Sequence, residues 1–348
     1  MGTISAALSD AEMQSVFAPA VIRLAGTDWF TGRVSACALM AGAYSRSNAM
    51  KERLRKKFIE LCQEDTPMIR RACAQKLGEF STKLEKQHVI QEIMPIFRQL
   101  SQDDQDAIRV LCLESLILMA GSLSKEENQV HTLGTLLAAG EDKSWKVRLC
   151  FAKKFASFAE AFGKEITDNN LIQTFTQLLG DNEQEVKNAA INSLSSCLKN
   201  LATEKICNFI LPALTKTYSD SSPIFKAGVA LALCEMAPLV GKDYTAQRIS
   251  PVINDLLKDD NSEVRLNSIQ NLSKIAEVLF MDMLNAGFMT QLGALLKDAQ
   301  WRVRMAAVEF IGHASIKFKK DCYTKHFETI FMGYLTNSAA AVRVEGIK

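Results

Sequence analysis

Apolar residues recur at intervals of three and four along almost the whole chain, as in "ICNFILPALTKTYS" at 206–219 and "SEVRLNSIQNLSKIAEVL" at 262–279. This spacing places the apolar side chains on one face of a helix. Segments of alternating polarity, which are typical of half-buried strands, do not occur in the sequence. The pattern therefore predicts an all-α protein built from amphipathic helices.

The helical segments belong to an internal repeat with a period of 39 residues. A basic residue preceded by an apolar one recurs at this interval, at Arg70, Arg109, Arg148, Lys187, Lys226, Arg265, Arg304 and Arg343. Six residues before each of them lies an acidic residue or, in the last unit, Asn: Glu64, Asp103, Asp142, Asp181, Asp220, Asp259, Asp298 and Asn337. An earlier, imperfect unit contains Arg33, 37 residues before Arg70.

Each unit reads as two helices joined by a five-residue turn such as "SDSSP" or "DDNSE". Pro95, Pro212 and Pro251 share one column in the first helix, where a proline bends the helix. Two helices of this length cannot bury their apolar faces alone, so neighbouring units must stack into one core. We expect a single α-solenoid over 1–348, wound as a curved superhelix. Its approximate units are 9–47, 48–86, 87–125, 126–164, 165–202, 203–241, 242–280, 281–320 and a partial unit at 321–348.

The acidic and basic columns allow two interpretations. In the first, each Asp caps the following helix and each Arg reaches a carboxylate or carbonyl of an adjacent unit. In the second, the basic residues form a stripe for phosphate or nucleic acid, but almost every one has its own acid, so the field cancels. The first interpretation is favoured. The residues assigned to this structural ladder are Arg70, Arg109, Arg148, Arg265, Arg304, Asp142, Asp181, Asp259 and Asp298.

The turns between the two helices of a unit carry large apolar side chains. All three Trp of the chain lie there, and Pro67–Met68 occupies an equivalent turn. Trp and Arg dominate the energetics of protein interfaces, and turns lie at the surface. Each Trp could instead pack on its own or the neighbouring unit. The recurrence of Trp in equivalent turns favours a partner-binding ridge, to which the nearby Arg71 and Arg302 also belong.

Composition removes several other classes of function. With 41 basic and 39 acidic residues the net charge is +2, which argues against nucleic-acid or membrane-surface binding. No segment approaches the length of a membrane span. The nine cysteines contain no CxxC pair, and Cys322 with His326 cannot complete a metal site alone, so free thiols in a reducing compartment are expected. No nucleotide-binding, hydrolase or metalloprotease motif occurs, so we expect no enzyme, no metal and no cofactor.

Five segments carry a resemblance to a known family: "LAGTDWFTGRVSAC" (24–37), "DTPMIRRACAQKLGEF" (65–80), "EDKSWKVRLCFAKKF" (141–155), "AFGKEITDNNLIQTF" (161–175) and "KDAQWRVRMAAVEF" (297–310). They resemble the scaffold (A) subunits of protein phosphatase 2A, which are arrays of fifteen HEAT repeats. The resemblance covers the chain in order and implies about eight HEAT repeats here, the fourth to the eleventh, plus part of the twelfth. The chain is thereby expected to be a fragment of such a scaffold.

The resemblance also implies partners and sites. It implies a non-catalytic scaffold in the cytoplasm, and also in the nucleus, that binds a regulatory (B-type) subunit, joined in full-length form by the catalytic subunit. Binding of the catalytic subunit is expected to be weak or lost in this fragment. The regulatory-subunit residues implied are Trp29, Phe30, Asp65, Pro67, Met68, Arg71, Trp145 and Lys146, the last where the family usually has Arg. Trp301 and Arg302 are implied for the catalytic subunit. The alternative is a HEAT-repeat adaptor of another class, such as an importin-like transport factor that binds basic peptides.

Overall fold

A computed structural model of the protein describes residues 7–219, 222–318, 327 and 339–347. Within these ranges the regular elements are all helices, so the all-α prediction is confirmed there. The predicted columns at Asp220 and Asn337, the residues Cys322 and His326, and most of the partial unit at 321–348 lie outside the described residues. Contacts divide the chain into two compact units, 1–174 and 175–348, called unit 1 and unit 2 below.

Unit 1 alternates a first and a second helix for each repeat. Its helices are α1 (Asp10–Glu12, Met13–Phe17, Ala18–Ala25), α2 (Phe30–Ser45), α3 (Asn48–Met50, Lys51–Cys62), α4 (Pro67–Ser81), α5 (Lys86–His88, Val89–Ile93, Met94–Leu100), α6 (Asp106–Gly121), α7 (Lys125–His131, Leu133–Gly140), α8 (Trp145–Phe162) and α9 (Lys164–Ile166, Thr167–Leu171, Ile172–Leu178), in which the boundary of the units falls.

Unit 2 repeats the same alternation. Its helices are α10 (Gln184–Cys197, Leu198–Asn200), α11 (Thr203–Lys205, Ile206–Ile210, Leu211–Thr217), α12 (Pro223–Val240), α13 (Lys242–Tyr244, Thr245–Ile249, Ser250–Leu256), α14 (Ser262–Gln270, Ser273–Leu279, Phe280–Met283), α15 (Ala286–Leu295), α16 (Trp301–Phe318) and α17 (Ala340–Ile347).

The first helices contain a π-helical turn where the proline column predicts a bend. Val89–Ile93 directly precedes the segment whose second residue is Pro95, and the same arrangement recurs before Pro212 and Pro251. Proline lacks the amide hydrogen of an α-helical bond and its ring clashes with the carbonyl four residues earlier, which a wider π turn relieves. In α9 the π turn Thr167–Leu171 forms without a proline. The first helices therefore change register within their length, which periodicity alone does not reveal.

In unit 1 the second helices α2, α4, α6 and α8 pack side by side. Aromatic rings fill the space between them and the first helices, as with Phe58 and Phe80, whose centroids lie 4.2 Å apart. A close approach of α4 to α6 requires glycine at Gly78, where a Cβ would lie 2.9 Å from the carbonyl oxygen of Ser115. Ser115 in turn donates a hydrogen bond from Oγ to the carbonyl of Ala74 at 2.7 Å.

In unit 2 the helices α10, α12, α14 and α16 pack in the same way. Among the described helices α12 is the one long and apolar enough to span a membrane, so the expectation of no such segment is wrong on those two criteria. Its apolar residues Val229, Leu233 and Met236 are fully buried within the protein. Core helices commonly meet the same two criteria, so α12 serves as a core helix of unit 2.

Candidate partner-binding ridge

The Arg and Asp columns meet in unit 1 as a repeated clasp. Arg109 donates from Nε and Nη2 to the two carboxylate oxygens of Asp142 in the next turn, at 2.8 and 2.7 Å. Its Nη1 donates to the carbonyl of Asp103 in its own turn at 2.7 Å. Arg70 makes the same set of bonds to Asp103 and to the carbonyl of Glu64. Each guanidinium therefore ties its own turn to the turn of the following repeat.

Unit 2 contains the same clasp in two forms. Arg265 reaches both carboxylate oxygens of Asp298, at 2.7 and 3.0 Å, and the carbonyl of Asp259 at 2.7 Å. Lys226 reaches Asp259 through a single bond of 2.8 Å. A lysine is a point charge without the planar fork of arginine, so this clasp lacks the second carboxylate bond.

The acidic residue of each clasp does not cap the following helix, contrary to the prediction. Asp103 accepts a hydrogen bond from the amide of Gln105 at 2.9 Å, and Gln105 itself is the N-cap of α6. Asp142 and Asp259 accept from the residues two positions on in the same way. The carboxylate forms a local turn just before the helix, since the geometry of an Asx turn competes with that of a cap.

The clasp shifts the ionisation of its members. Burial alone would raise the pKa of Asp103, but the hydrogen bonds from Arg70 and from the Gln105 amide together hold it below its ordinary value. Asp298 has a lowered pKa from the same balance, with Arg265 as its partner. The carboxylates are therefore held in their charged form by the bonds that fix the turns.

Three residues of the predicted ladder have a less complete description. Arg148 donates from Nη1 to the carbonyl of Asp142 at 2.8 Å, and Arg304 donates to that of Asp298 at 2.7 Å. Asp181 accepts from the amide of Glu183 at 2.9 Å. The column positions that would follow Lys187 and Arg304 are Asp220 and Asn337, which lie outside the described residues.

In unit 1 the turns between these clasps present their large side chains to solvent. Trp29 is 78% exposed at the N-cap of α2, and Trp145, the first residue of α8, is 38% exposed. The other residues that the resemblance assigns to regulatory-subunit binding are exposed as well: Phe30, Asp65, Pro67, Met68, Arg71 and Lys146. We call this set the unit 1 ridge. The backbone under it is fixed by the clasps, so its side chains are presented on rigid turns.

Charges on the unit 1 ridge are partly neutralised. Lys146 lies 3.3 Å from Asp106, the first residue of α6, which also accepts a hydrogen bond from the hydroxyl of Ser144 at 3.0 Å. Arg71 makes no ion pair or hydrogen bond through its side chain within the described part of the chain. The ridge therefore combines aromatic surface with an arginine available to an acidic group.

The two predicted residues of unit 2 are also exposed and lie together. Trp301 begins α16, and the guanidinium of Arg302 lies 5.8 Å from the centre of its ring. This cation–π contact holds two hot-spot residue types in one place.

Two features escaped the sequence reasoning. Ile224, in the column of Met68 and Lys146, is 64% exposed at the start of α12. A polar network joins three helices at the opposite ends of the repeats in unit 1. There Glu85 accepts from the hydroxyl of Tyr44 at 2.5 Å and from Lys51 at 2.7 Å. The column register could have revealed Ile224, whereas no local motif connects the members of the network.

No three His, Cys, Asp or Glu side chains among the described residues are placed to hold a metal ion. Cys37 and Cys73 are buried with their sulfurs 3.2 Å apart, and that contact together with burial raises the pKa of the Cys37 thiol. A cavity of about 160 Å³ beside the Arg109 clasp is lined by groups such as Leu113 and Ala138. Since Arg109 is already satisfied by Asp142, the cavity offers no free charge for a cofactor.

Comparison with known proteins agrees with this architecture. Residues 164–241 match the family described as PPP2R1A-like HEAT repeat, and 249–279 match the HEAT repeat. The protein phosphatase 2A scaffold subunit of Dictyostelium discoideum is 44% identical over 95 residues, which are 27% of this chain and 16% of that protein. The human beta isoform of the 65 kDa regulatory subunit of serine/threonine-protein phosphatase 2A is 54% identical over 74 residues, 21% of this chain and 12% of that protein. The matched segments are thus a small part of the length of these relatives.

Solved structures show a similar fold at low identity. Kap121p bound to Nup53p has a TM-score of 0.65 and 16% identity, over 94% of this chain and 36% of that one. An engineered protein has a TM-score of 0.55 and 16% identity, over 97% of this chain and 87% of that one. These likenesses support the fold alone. The clasped turns, the matched repeats and the similarity to phosphatase subunits agree: the chain is a HEAT-repeat α-solenoid with PPP2R1A-like repeats, similar over part of its length to the scaffold subunits of protein phosphatase 2A.

Proposed function

We propose that the chain is a non-catalytic scaffold of a protein phosphatase 2A-like holoenzyme and binds a regulatory subunit through the unit 1 ridge. The observation that carries the proposal is the exposure of Trp29, Phe30, Met68 and Trp145 in turns of the repeats. Large apolar side chains on a solvent-facing turn gain free energy by burial against a partner. The names of the matched relatives supply the identity of the partner.

The clasps explain how such a surface binds. Arg70 and Arg109 fix the turns before any partner arrives, so little conformational entropy is lost on association. Trp and Arg side chains on such turns act as anchors, and the polar turns between them exclude water around the anchors. Arg71 then supplies a charge for an acidic group of the regulatory subunit.

The catalytic subunit is assigned, on the same reasoning, to a surface that includes Trp301 and Arg302. A scaffold that holds both subunits raises the effective concentration of the regulator, and of its bound substrate, at the active site. The scaffold itself then needs no catalytic group. We place this function in the cytoplasm and the nucleus.

The proposal is tested by pull-down and titration of the purified chain with regulatory subunits. Trp145→Ala should weaken binding by at least about tenfold, as truncation of an aromatic anchor does. The matched control is Val130→Ala, since Val130 is an exposed apolar side chain that lies within α7, away from the turns. Equal binding by the wild-type chain and the Trp145→Ala variant would remove the ridge from the proposal.

The alternative, an importin-like adaptor, gains support from the karyopherin neighbours at the level of fold only. Such an adaptor would bind basic peptides in place of phosphatase subunits. Titration of the same chain with a lysine-rich peptide and with a regulatory subunit separates the two functions, because each predicts tight binding of one ligand and not the other.

A further inference from the structure

The start of α12 presents an apolar side chain that the fold does not need at the surface. Ile224 follows Pro223 in the first turn of the helix and is 64% exposed. Ser222 is the N-cap and accepts the amide of Phe225 through its hydroxyl at 3.3 Å, while Pro223 fixes the first helical residue. Ile224 is therefore held rigidly outward, as a preformed anchor would be.

The turns on either side of Ile224 belong to neighbouring helices of unit 2. On one side α12 packs so closely on α10 that a Cβ on Gly228 would lie 2.9 Å from the side chain of Ile191. On the other side Lys226, two residues after Ile224, binds Asp259 in the turn before α14 at 2.8 Å. Packed helices lie about 8–10 Å apart, so the flanking turns lie roughly that far from Ile224.

Both flanking turns are acidic and exposed. Glu183 and Glu185 lie at the start of α10, and Asp260 and Glu263 lie in the turn and first residues of α14. The carboxylates of the three glutamates make no ion pair within the described residues. The surface thus has an apolar centre between two negative edges, the opposite charge pattern to Trp145 with its neighbouring Lys146 in unit 1.

We propose that this surface, the unit 2 patch, docks a segment of a partner protein in which an apolar side chain lies between basic residues. Burial of Ile224 and Pro223 supplies the apolar contact, and the glutamates select positive charge and exclude acidic segments. An extended chain advances about 3.3 Å per residue, so basic residues about three positions from the apolar one reach both turns. The patch goes beyond the proposed function, because its residues are not part of the ridge assigned to the regulatory subunit.

The test is a titration of the full chain with a short synthetic peptide of the pattern Arg-x-x-Leu-x-x-Arg, with photo-leucine at the central position. Binding is measured by fluorescence anisotropy, and irradiation followed by peptide mapping locates the contact. We expect crosslinks at the starts of α10, α12 and α14. Ile224→Ser should weaken binding at least about tenfold. A combined Glu183→Gln and Glu185→Gln variant should weaken it and reduce its dependence on salt.

Two controls make the outcome decisive. Val130→Ser removes a comparably exposed apolar side chain in unit 1 and should leave binding unchanged. A peptide with Glu in place of Arg should not bind. Crosslinks elsewhere on the chain, equal weakening by Ile224→Ser and Val130→Ser, or no binding of the basic peptide would each overturn the proposal. A fold defect in Ile224→Ser is detected by circular dichroism, and the glutamate variants then test the patch without altering the helix start.

Discussion

Replacement of Arg109 by alanine should open the repeat stack of unit 1 locally. The side chains of Arg109 and Asp142 are 6% and 13% exposed, so solvent screens their attraction little. Truncation leaves the Asp142 carboxylate without its cation and the Asp103 carbonyl without its donor. Breaking a buried pair by removing one partner costs about 3–5 kcal/mol. Because Asp142 keeps the amide of Ser144, we expect the lower end, about 3 kcal/mol.

The assay is native-state hydrogen exchange on the amides of α6 and α8, which reports local opening free energies in a repeat protein. Asp142→Ala and the double variant complete a cycle. The double variant should lose less than the sum of the single losses, by about 1.5–3 kcal/mol, the range for hydrogen bonds to charged groups. Arg109→Lys should recover part of the loss, since Lys226 shows that a lysine reaches the equivalent carboxylate with one bond.

A matched control separates the clasp from surface charge in general. Lys56 pairs with Glu52 at 2.6 Å on the surface of α3, and both side chains are 69% exposed. Lys56→Ala should leave the exchange of α6 and α8 unchanged, because exposed pairs contribute little. Strictly additive single losses in the Arg109 cycle, or wild-type exchange in Arg109→Ala, would refute the clasp as the tie between repeats.

Three further predictions concern packing, pH and thiol reactivity. Gly78→Ala should lower the urea midpoint of unfolding by the equivalent of about 1–3 kcal/mol, because the new methyl group meets the backbone of α6, whereas Gly121→Ala, with open space around it, should not lower it. Hydrogen bonds from Lys51 and then Tyr44 hold the pKa of Glu85 at about 2 against an ordinary value of 4.5, so its contribution to stability is complete above pH 4.5 and is lost as the pH falls through 2. Glu85→Gln should accordingly flatten the urea midpoint across that window, and an unchanged slope would contradict the assignment. Cys207 is the one half-exposed thiol among the cysteines that the structure describes, so brief alkylation with peptide mapping should label it before the buried ones, and prior labelling of a buried cysteine would contradict the packing.

The 39-residue columns predicted the helix pairs and the exposed turns because both depend on local spacing. An apolar residue before each basic one faces the core, and the turn residues just outside that pattern have nowhere to go but solvent. The exposure of Trp29 and Trp145 follows from their place in the column. Which partner they meet does not follow, since a partner's surface is absent from the sequence.

Other features depend on geometry that periodicity does not contain. An Asp before a helix can accept from the residue two or three positions on, and Asp103 and Asp142 use the first option. The π turn of α9 forms without proline, with Thr167 donating its hydroxyl to the carbonyl of Gly163 at 2.8 Å. Ile224 has no aromatic or charged neighbour in its turn to mark it as exposed, and only its register in the column places it outside.

The clasp also has a direction that governs how such a chain can change length. Arg70 and Arg109 each point forward to a carboxylate 33 residues later and back to a carbonyl six residues earlier, so one half of each bond set lies in each repeat. Loss of 103–141 would bring Arg70 opposite Asp142 with the same spacing, and duplication of a 39-residue window would likewise leave each guanidinium facing an acid. Insertions or losses of other lengths would strand one. Whole-repeat gain and loss is therefore the mutational step that this architecture tolerates, wherever along the clasped turns it begins.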